Sequence, residues 1–271
     1  MTKQERWQVE GNSAEFYERY VSLLMEPWVQ GLVELAEIQP DDRVLDVGCG
    51  PGIVARGAAE LVGKTGRVVG LDLNESMLIK ARETPRLESA VTVEWRQGDA
   101  QSMPFDDSSF DVVLVLQALQ FCLEPAVALR EMRRVLAPGG SLVVCAWGPL
   151  EDNSYPVAQL NIMEPYVGAA VRTSLATAHS LGNAEELGNL FNCANFSHVE
   201  IRSEIRETPV DPAEEFLQGH FAALPYANAI AALSDDTLKT MLSESILELD
   251  DYVVEGILEF PTGAHLVAAS V

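Results

Sequence analysis

Arg43-Val44-Leu45-Asp46-Val47 runs without a break into Gly48-Cys49-Gly50-Pro51-Gly52, and the alanine-rich segment Ile53 to Val62 follows. The first five residues are mostly apolar and rich in β-branched side chains, the next five are turn formers, and the third segment favours a helix. The stretch therefore reads as strand, glycine turn, helix. Glycines let the chain reverse tightly and let a ligand approach main-chain amides, while the helix presents its positive end to whatever anionic group sits there. A turn of this kind also serves simply to pack a strand against a helix, so it names no ligand by itself.

Working outward, the same rhythm repeats. A strand is expected at Arg67 to Asp72, a helix from Ser76 to about Arg82, and a strand around Val91 to Arg96. Gly98-Asp99-Ala100, a polar turn at Asp106 to Ser109 and the apolar run Phe110 to Leu116 come next. A helix over Ala126 to Leu136 closes at Pro138-Gly139-Gly140, and Ser141 to Trp147 makes a fifth strand. Nearly unbroken apolar strands alternating with helices indicate a parallel sheet covered on both faces. Upstream, Phe16, Tyr20, Leu23 and Leu24 recur at helical spacing, and Pro27 punctuates before Leu32 and Leu35 resume it, so two helices are expected over Ser13 to Glu37. Beyond Gly148 the rhythm changes to helices and irregular segments, with further strands expected at Val199 to Glu207 and Tyr252 to Val271.

Composition narrows the function classes. The 271 residues are 48% apolar, enough to bury a full core, and no apolar run approaches the eighteen or so residues of a membrane helix. Met1 to Glu10 lacks an apolar signal segment, so a cytoplasmic location and no membrane insertion are expected. Cys49, Cys122, Cys145 and Cys193 form no C-x-x-C pair, and no metal site is expected. With 41 acidic against 18 basic residues, a formal charge of -23, the surface field repels polyanions and no nucleic-acid partner is expected. Four histidines, His179, His198, His220 and His265, are scattered over the C-terminal half.

The second strand sharpens the ligand. Asp72 ends it 20 residues after Gly52, where doubly wound nucleotide folds place an acid that accepts hydrogen bonds from ribose hydroxyls. The same residue could also cap the following helix. Dinucleotide enzymes share this geometry, but their G-x-G-x-x-G is replaced here by G-x-G-x-G with Asp46 two residues before Gly48. A carboxylate there disfavours a pyrophosphate and suits a ligand bearing an ammonium and a sulfonium group.

These features together resemble the class I S-adenosylmethionine-dependent methyltransferases. Val44 to Gly52 looks like their first motif, and Gly70-Leu71-Asp72-Leu73, Gly98-Asp99-Ala100, Met103 to Asp111 and Arg134 to Gly140 follow in family order. The combination is similar to the ubiquinone- and menaquinone-biosynthesis-like group of small-molecule methyltransferases over about residues 13 to 148. The resemblance implies an α/β, doubly wound, mostly parallel seven-stranded sheet, the Rossmann-like methyltransferase fold. It also implies one domain divided into N-terminal helices (1–40), a cofactor-binding core (41–148), a helical cap inserted after the fifth strand (149–245) and C-terminal strands (246–271). Further on, Cys193-Ala194-Asn195-Phe196 resembles a late Ala-Gly-Phe turn with Asn195 in place of glycine, which left-handed backbone angles tolerate.

Carried over by motif, the resemblance implies that S-adenosyl-L-methionine lies along Gly48 and Gly50, with Asp46 helping to hold its amino group. Cys49 would sit in the turn without acting as a catalytic thiol. Asp72 would take the ribose hydroxyls, Leu73 and Met77 would cover the adenine, Asp99 and the Ala100 amide would read its edge, and Gln117 would offer a carbonyl to the amino group. Tyr17 or Tyr20 would fold over the cofactor from the N-terminal helix. The acceptor is expected to be a small, partly apolar organic molecule. No dedicated catalytic residue is obligatory for an in-line displacement at a sulfonium, because alignment and desolvation can carry the rate. If the acceptor has a proton to lose, His179, His220 and Tyr226 are candidate bases, and Gln120 and Phe121 could line its pocket. Glu151-Asp152-Asn153 reads as a solvated loop. The amine-methylating tetrad of nucleic-acid enzymes is replaced by Leu116-Gln117-Ala118-Leu119. Two other readings share these features: a non-enzymatic cofactor-binding or assembly protein that keeps the fold, and a nicotinamide-dependent oxidoreductase.

Overall fold

A computed structural model describes residues 13–85, 90–255 and 257–271. Strand β1 (Arg43–Val47) pairs in parallel with β2 (Arg67–Asp72) on one side and β4 (Phe110–Leu116) on the other; β3 (Glu94–Gln97) extends β2, and β5 (Leu136–Trp147) extends β4. The long β8 (Ile257–Ser270) lies antiparallel between β5 and β6 (Ser197–Val210), which gives the order β3-β2-β1-β4-β5-β8-β6. A two-residue β7 (Val253–Val254) folds back on β8 off this path. Seven strands thus make the main sheet. β1, β2 and β4 carry near-continuous buried runs because helices cover both faces.

One face is covered by α1 (Ser13–Phe16), a π-turn at Tyr17–Val21, α2 (Ser22–Leu35) and α3 (Ile53–Leu61). Trp28 and Leu32 are fully buried there with Val44, Val54, Ala55, Ala58 and Val68. α4 (Glu75–Glu83) packs beside β2 and β3 and against α1, while α5 (Pro125–Val135) and α8 (Ala184–Cys193) cover the other face and α6 (Ser154–Val167) packs on α7 (Ala170–Ala178) and β8. Within that group α5 and α8 supply Leu129, Met132, Leu187 and Phe191 to the sheet core.

Three local expectations change. Pro27 does not divide two helices: it lies inside α2, and the irregularity falls earlier, at the π-turn. Proline removes one amide from the ladder, but the neighbouring Trp28 is fully buried, its ring edge-on to Trp147 at 6.3 Å and its indole N–H 3.3 Å from Thr262 Oγ1. Packing carries the helix through. Strand β3 starts at Glu94 rather than Val91, whose amide donates to Ala59 O in α3 instead of joining the ladder. Pro138-Gly139-Gly140 does not end the α5 segment as a free turn; Leu136 already pairs with Phe110, and the register resumes at Val112 and Ser141, so residues 137–140 form a bulge within β5. At the late turn, Asn195 takes φ +62°, the left-handed geometry in which asparagine stands in for glycine.

The cap has two parts. α6 and α7 follow β5, whereas α9 (Ala213–Ala223), α10 (Ala227–Ala231) and α11 (Asp235–Glu248) lie between β6 and β7. The parts share one apolar cluster in which Tyr155, Met163, Phe216, Phe221, Tyr226 and Phe260 meet Tyr20 and Leu24 of the N-terminal segment. Gly219 of α9 allows this approach, since a Cβ there would stand 2.0 Å from the Tyr20 ring. Glu18 ties the same segment to the core: its carboxylate accepts from Thr84 Oγ1 at 2.7 Å and pairs with Lys80 at 3.0 Å and Arg56 at 3.9 Å. These pairs roof the carboxyl ends of β1, β2 and β4.

Candidate functional site

β1 lies where the strand order reverses, between β2 and β4, and open α/β sheets place ligands outside the strand ends at such a point. A cavity of about 310 Å³ opens there and continues under the cap.

The turn after β1 has Gly48, Gly50 and Gly52 at φ +69°, +52° and +91°. Each glycine has its own reason. A Cβ on Gly48 would come 2.3 Å from Ala118 Cβ, and one on Gly52 2.3 Å from the Trp95 ring. A Cβ on Gly50 would meet nothing within 4 Å, so at this cavity-lining position only the left-handed backbone and the open space beside it are at stake. The Gly50 amide donates to Asp72 Oδ2 at 2.7 Å, and the Asn74 amide to Asp72 Oδ1 at 2.8 Å. Asp72 thereby joins the end of β2 to the turn after β1. Burial raises its pKa, and these amides pull in the opposite direction. The helix cap expected of Asp72 is provided by Asn74, whose side chain accepts from Ser76 N at 3.0 Å.

Tyr17, Gly48, Gly50, Asp72, Leu73, Met77, Asp99, Ala100 and Gln117 all line this cavity. Asp99 is oriented by the Gln101 amide at 2.8 Å. Gln117 sits at φ +51°, with its amide on Cys145 O at 2.8 Å and its side-chain oxygen accepting from Gln120 Nε2 at 2.9 Å. Tyr17 is half-buried, with its hydroxyl pKa pushed up to about 12 by loss of water around the hydroxyl first and by the Asp72 charge second. Tyr20 instead turns its hydroxyl to Glu215 at 3.2 Å.

Asp46 and Cys49 do not line the cavity. Asp46 is buried behind it, where Oδ2 accepts from the Ala55 amide at 2.9 Å and pins the start of α3. Burial lifts its pKa to about 7, against the lowering effect of that amide. Cys49 packs toward Gly70, and burial, with Asp46 and Asp72 nearby, holds its thiol protonated.

The cap half of the cavity brings in His179, His220, Tyr226 and Phe121 of the residues singled out from sequence, together with Trp147, Tyr155, Gln159 and Phe260. Gln120 stays behind the wall, fully buried. Asn153, read as part of a solvated loop, is buried; its amide bonds Pro149 O and Gly263 O and accepts from Gly263 N, which fastens the loop to β8. His265 is a satisfied core residue between Ser203 and Gly182. Tyr155 and Gln159 escape a sequence reading, although a polar pair four residues apart on an otherwise apolar helix face was the available signal.

Similarity to known proteins agrees with this geometry. Residues 45–144 match the family model described as a methyltransferase domain. The ubiquinone/menaquinone biosynthesis C-methyltransferase of Ectopseudomonas mendocina is 42% identical over 119 residues, 43% of this chain and 46% of that protein. The demethylmenaquinone methyltransferase of Staphylococcus carnosus is 30% identical over 187 residues, 65% of this chain and 76% of that protein. The chain spans about half the length of several of the curated relatives it matches. In fold it is similar to the Haemonchus contortus phosphoethanolamine N-methyltransferase 2 in complex with phosphomonomethylethanolamine and S-adenosylhomocysteine, at 18% identity and TM-score 0.53 over 96% of this chain and 60% of that one.

Two predictions follow from the turn and from the carboxylate behind it. Gly50→Ala should fold with a stability loss of about 1–2 kcal/mol from left-handed strain alone, whereas Gly48→Ala adds the clash with Ala118 and should lose clearly more. Urea unfolding of both variants measures this, and equal losses would contradict it. Burial holds the Asp46 pKa at about 7 in the folded chain, above its ordinary 3.8, so the native state binds the extra proton between these values and stability falls as pH rises through that window. Asp46→Asn keeps an acceptor for Ala55 and removes the buried charge. Its stability relative to wild type should therefore rise between about pH 5 and about pH 8; a flat difference would show that Asp46 is already ionised at the lower pH.

Proposed function

We propose that this chain, which belongs to the S-adenosylmethionine-dependent methyltransferase family, transfers a methyl group to a small, largely apolar organic acceptor held under its cap. The observation that carries this reading is one continuous cavity with a nucleotide-type end, at Gly50, Asp72 and Asp99, and an apolar end walled by the cap.

The residues fit S-adenosylmethionine. Gly50 leaves open space on a backbone only glycine adopts readily, which suits the methionine portion of the ligand. Asp72 presents a carboxylate already oriented by two amides, as a ribose diol requires. Leu73 and Met77 would flank the adenine, with Asp99 and the Ala100 amide at its edge, Gln117 near the amino group and Tyr17 above. Asp46 would act from behind the wall by holding the start of α3. Cys49 would only pack the turn.

When bound, S-adenosylmethionine supplies a methyl group on a sulfonium, an excellent leaving group. The protein's part is then to align the acceptor atom and keep water out. Tyr20, Leu24, Phe221 and Tyr226 do the latter by closing the N-terminal segment against α9 and α10. Quinone-type acceptors belong to the relatives; for this chain a small apolar acceptor is the reading its cavity supports. Among the described residues no helix is long and apolar enough to cross a membrane.

Calorimetry tests the cofactor end. S-adenosylmethionine and S-adenosylhomocysteine should bind with micromolar affinity and NADH should not. Asp72→Ala should weaken S-adenosylhomocysteine by about 1–3 kcal/mol through the lost charged hydrogen bonds. Unchanged affinity in a folded Asp72→Ala variant would remove the ribose role, and preference for NADH would overturn the family-based activity.

A further inference from the structure

The cap half of the cavity contains two histidines with different partners on Nδ1. Tyr155 Oη lies 2.9 Å from His220 Nδ1, and Gln159 Nε2 lies 3.3 Å from both. An amide NH₂ only donates. Gln159 therefore donates to this pair, and where the tyrosine hydroxyl donates to Nδ1, His220 carries its own proton on Nε2. Burial holds its pKa down to about 3, so the ring is neutral. Its Nε2 has no hydrogen-bond partner among the described residues, nor is it one of the sealed, unpartnered polar atoms found there, Gln120 Oε1 and Ser154 Oγ. It opens onto the cavity that its ring lines.

His179 has the opposite arrangement. Its Nδ1 is 2.9 Å from the Gly148 carbonyl oxygen, which can only accept, so the proton is on Nδ1. Burial lowers its pKa as well, leaving a lone pair on Nε2. The ring lines the same cavity beside Trp147, with centroids 6.4 Å apart. With these tautomers the cap half offers one neutral donor, His220 Nε2–H, and one neutral acceptor, His179 Nε2. Among the described residues lining the cavity, the carboxylates are Asp72 and Asp99, both at the nucleotide end, and no Lys or Arg is present. A desolvated ammonium would need a carboxylate beside it and a desolvated carboxylate a cation; the cap half supplies neither.

Resting on the methyltransferase reading above, we propose that the acceptor is an uncharged phenol- or enol-type molecule that also bears a carbonyl oxygen. His220 Nε2–H donates to the carbonyl, and His179 Nε2 receives the proton of the hydroxyl that is methylated. As that proton passes to His179, an oxygen lone pair forms the O–CH₃ bond while the pair of the breaking C–S bond stays on sulfur. The products are a methyl ether, S-adenosylhomocysteine and an imidazolium that returns its proton to water.

The tautomers can be read without any substrate. Long-range ¹H–¹⁵N correlation spectra of the ¹⁵N-labelled full chain at neutral pH should show His179 as the Nδ1–H form and His220 as the Nε2–H form. The reverse form at either ring, or a charged ring, overturns the proposal. In parallel, the protein saturated with S-adenosylhomocysteine is titrated calorimetrically with the ortho, meta and para hydroxyacetophenones, acetophenone and the three hydroxybenzoates. At least one hydroxyacetophenone should bind roughly tenfold more tightly than acetophenone and more tightly than every hydroxybenzoate. His179→Phe should abolish the advantage of the hydroxyl while S-adenosylhomocysteine affinity stays unchanged, which certifies the fold. No hydroxyl preference in wild type, or a preference for the benzoates, overturns the assignment while leaving the cofactor reading standing. Failure of S-adenosylhomocysteine to bind wild type overturns that underlying reading, and the proposal with it.

Discussion

The Asp72 carboxylate is the point on which the site depends. One oxygen holds the Gly50 amide and the other the Asn74 amide, so the loop after β1 and the start of α4 are set by a single side chain at the end of β2. Bonds from a carboxylate to main-chain amides are charge-assisted and short, and buried ones are strong. The glycine at position 50 is needed for this arrangement because φ +52° brings its amide round to the carboxylate while leaving the facing space empty. Gly48 and Gly52 serve packing instead, against Ala118 and Trp95. The same carboxylate that shapes the turn is also presented to the cavity.

Around that point the molecule separates charge from apolar surface. The nucleotide end carries Asp72 and Asp99 on the cavity wall, with Asp46 behind it. The cap end has only neutral polar groups set in aromatic walls. The two ends meet beneath an N-terminal segment held from both sides, by Glu18 on Arg56, Lys80 and Thr84 of the core and by Arg19 and Tyr20 on Glu215 of α9. The exposed Arg19–Glu215 pair contributes little by itself. The Tyr20 ring is seated on Gly219, in the apolar cluster that joins this segment to the cap.

Much of this could be read from residues near one another in sequence. The strand, glycine turn and helix at 43–62, and the acid at the end of β2, are local patterns with a fixed period and a fixed spacing, so the fold and the meeting of this turn with Asp72 were legible. Pro27 was misleading because local propensity predicts a break that tertiary burial of Trp28 overrides. The bulge at 137–140 was hidden because Pro-Gly-Gly looks the same whether it ends a helix or interrupts a strand. The cap end was barely legible: His179, His220, Tyr155 and Gln159 come from three separate helical segments, and their meeting depends on how those segments pack. The sequence also gave no means of telling that Asp46 lies behind the cavity wall, since that follows from its bond to the Ala55 amide.

The most direct measurement is a crystal structure of the protein with S-adenosylhomocysteine. The account requires the ribose hydroxyls within hydrogen-bonding distance of Asp72, the methionine portion against Gly50, and the sulfur directed toward the cap half between His179 and His220. Ligand density elsewhere, or a sulfur turned away from the cap, would contradict it.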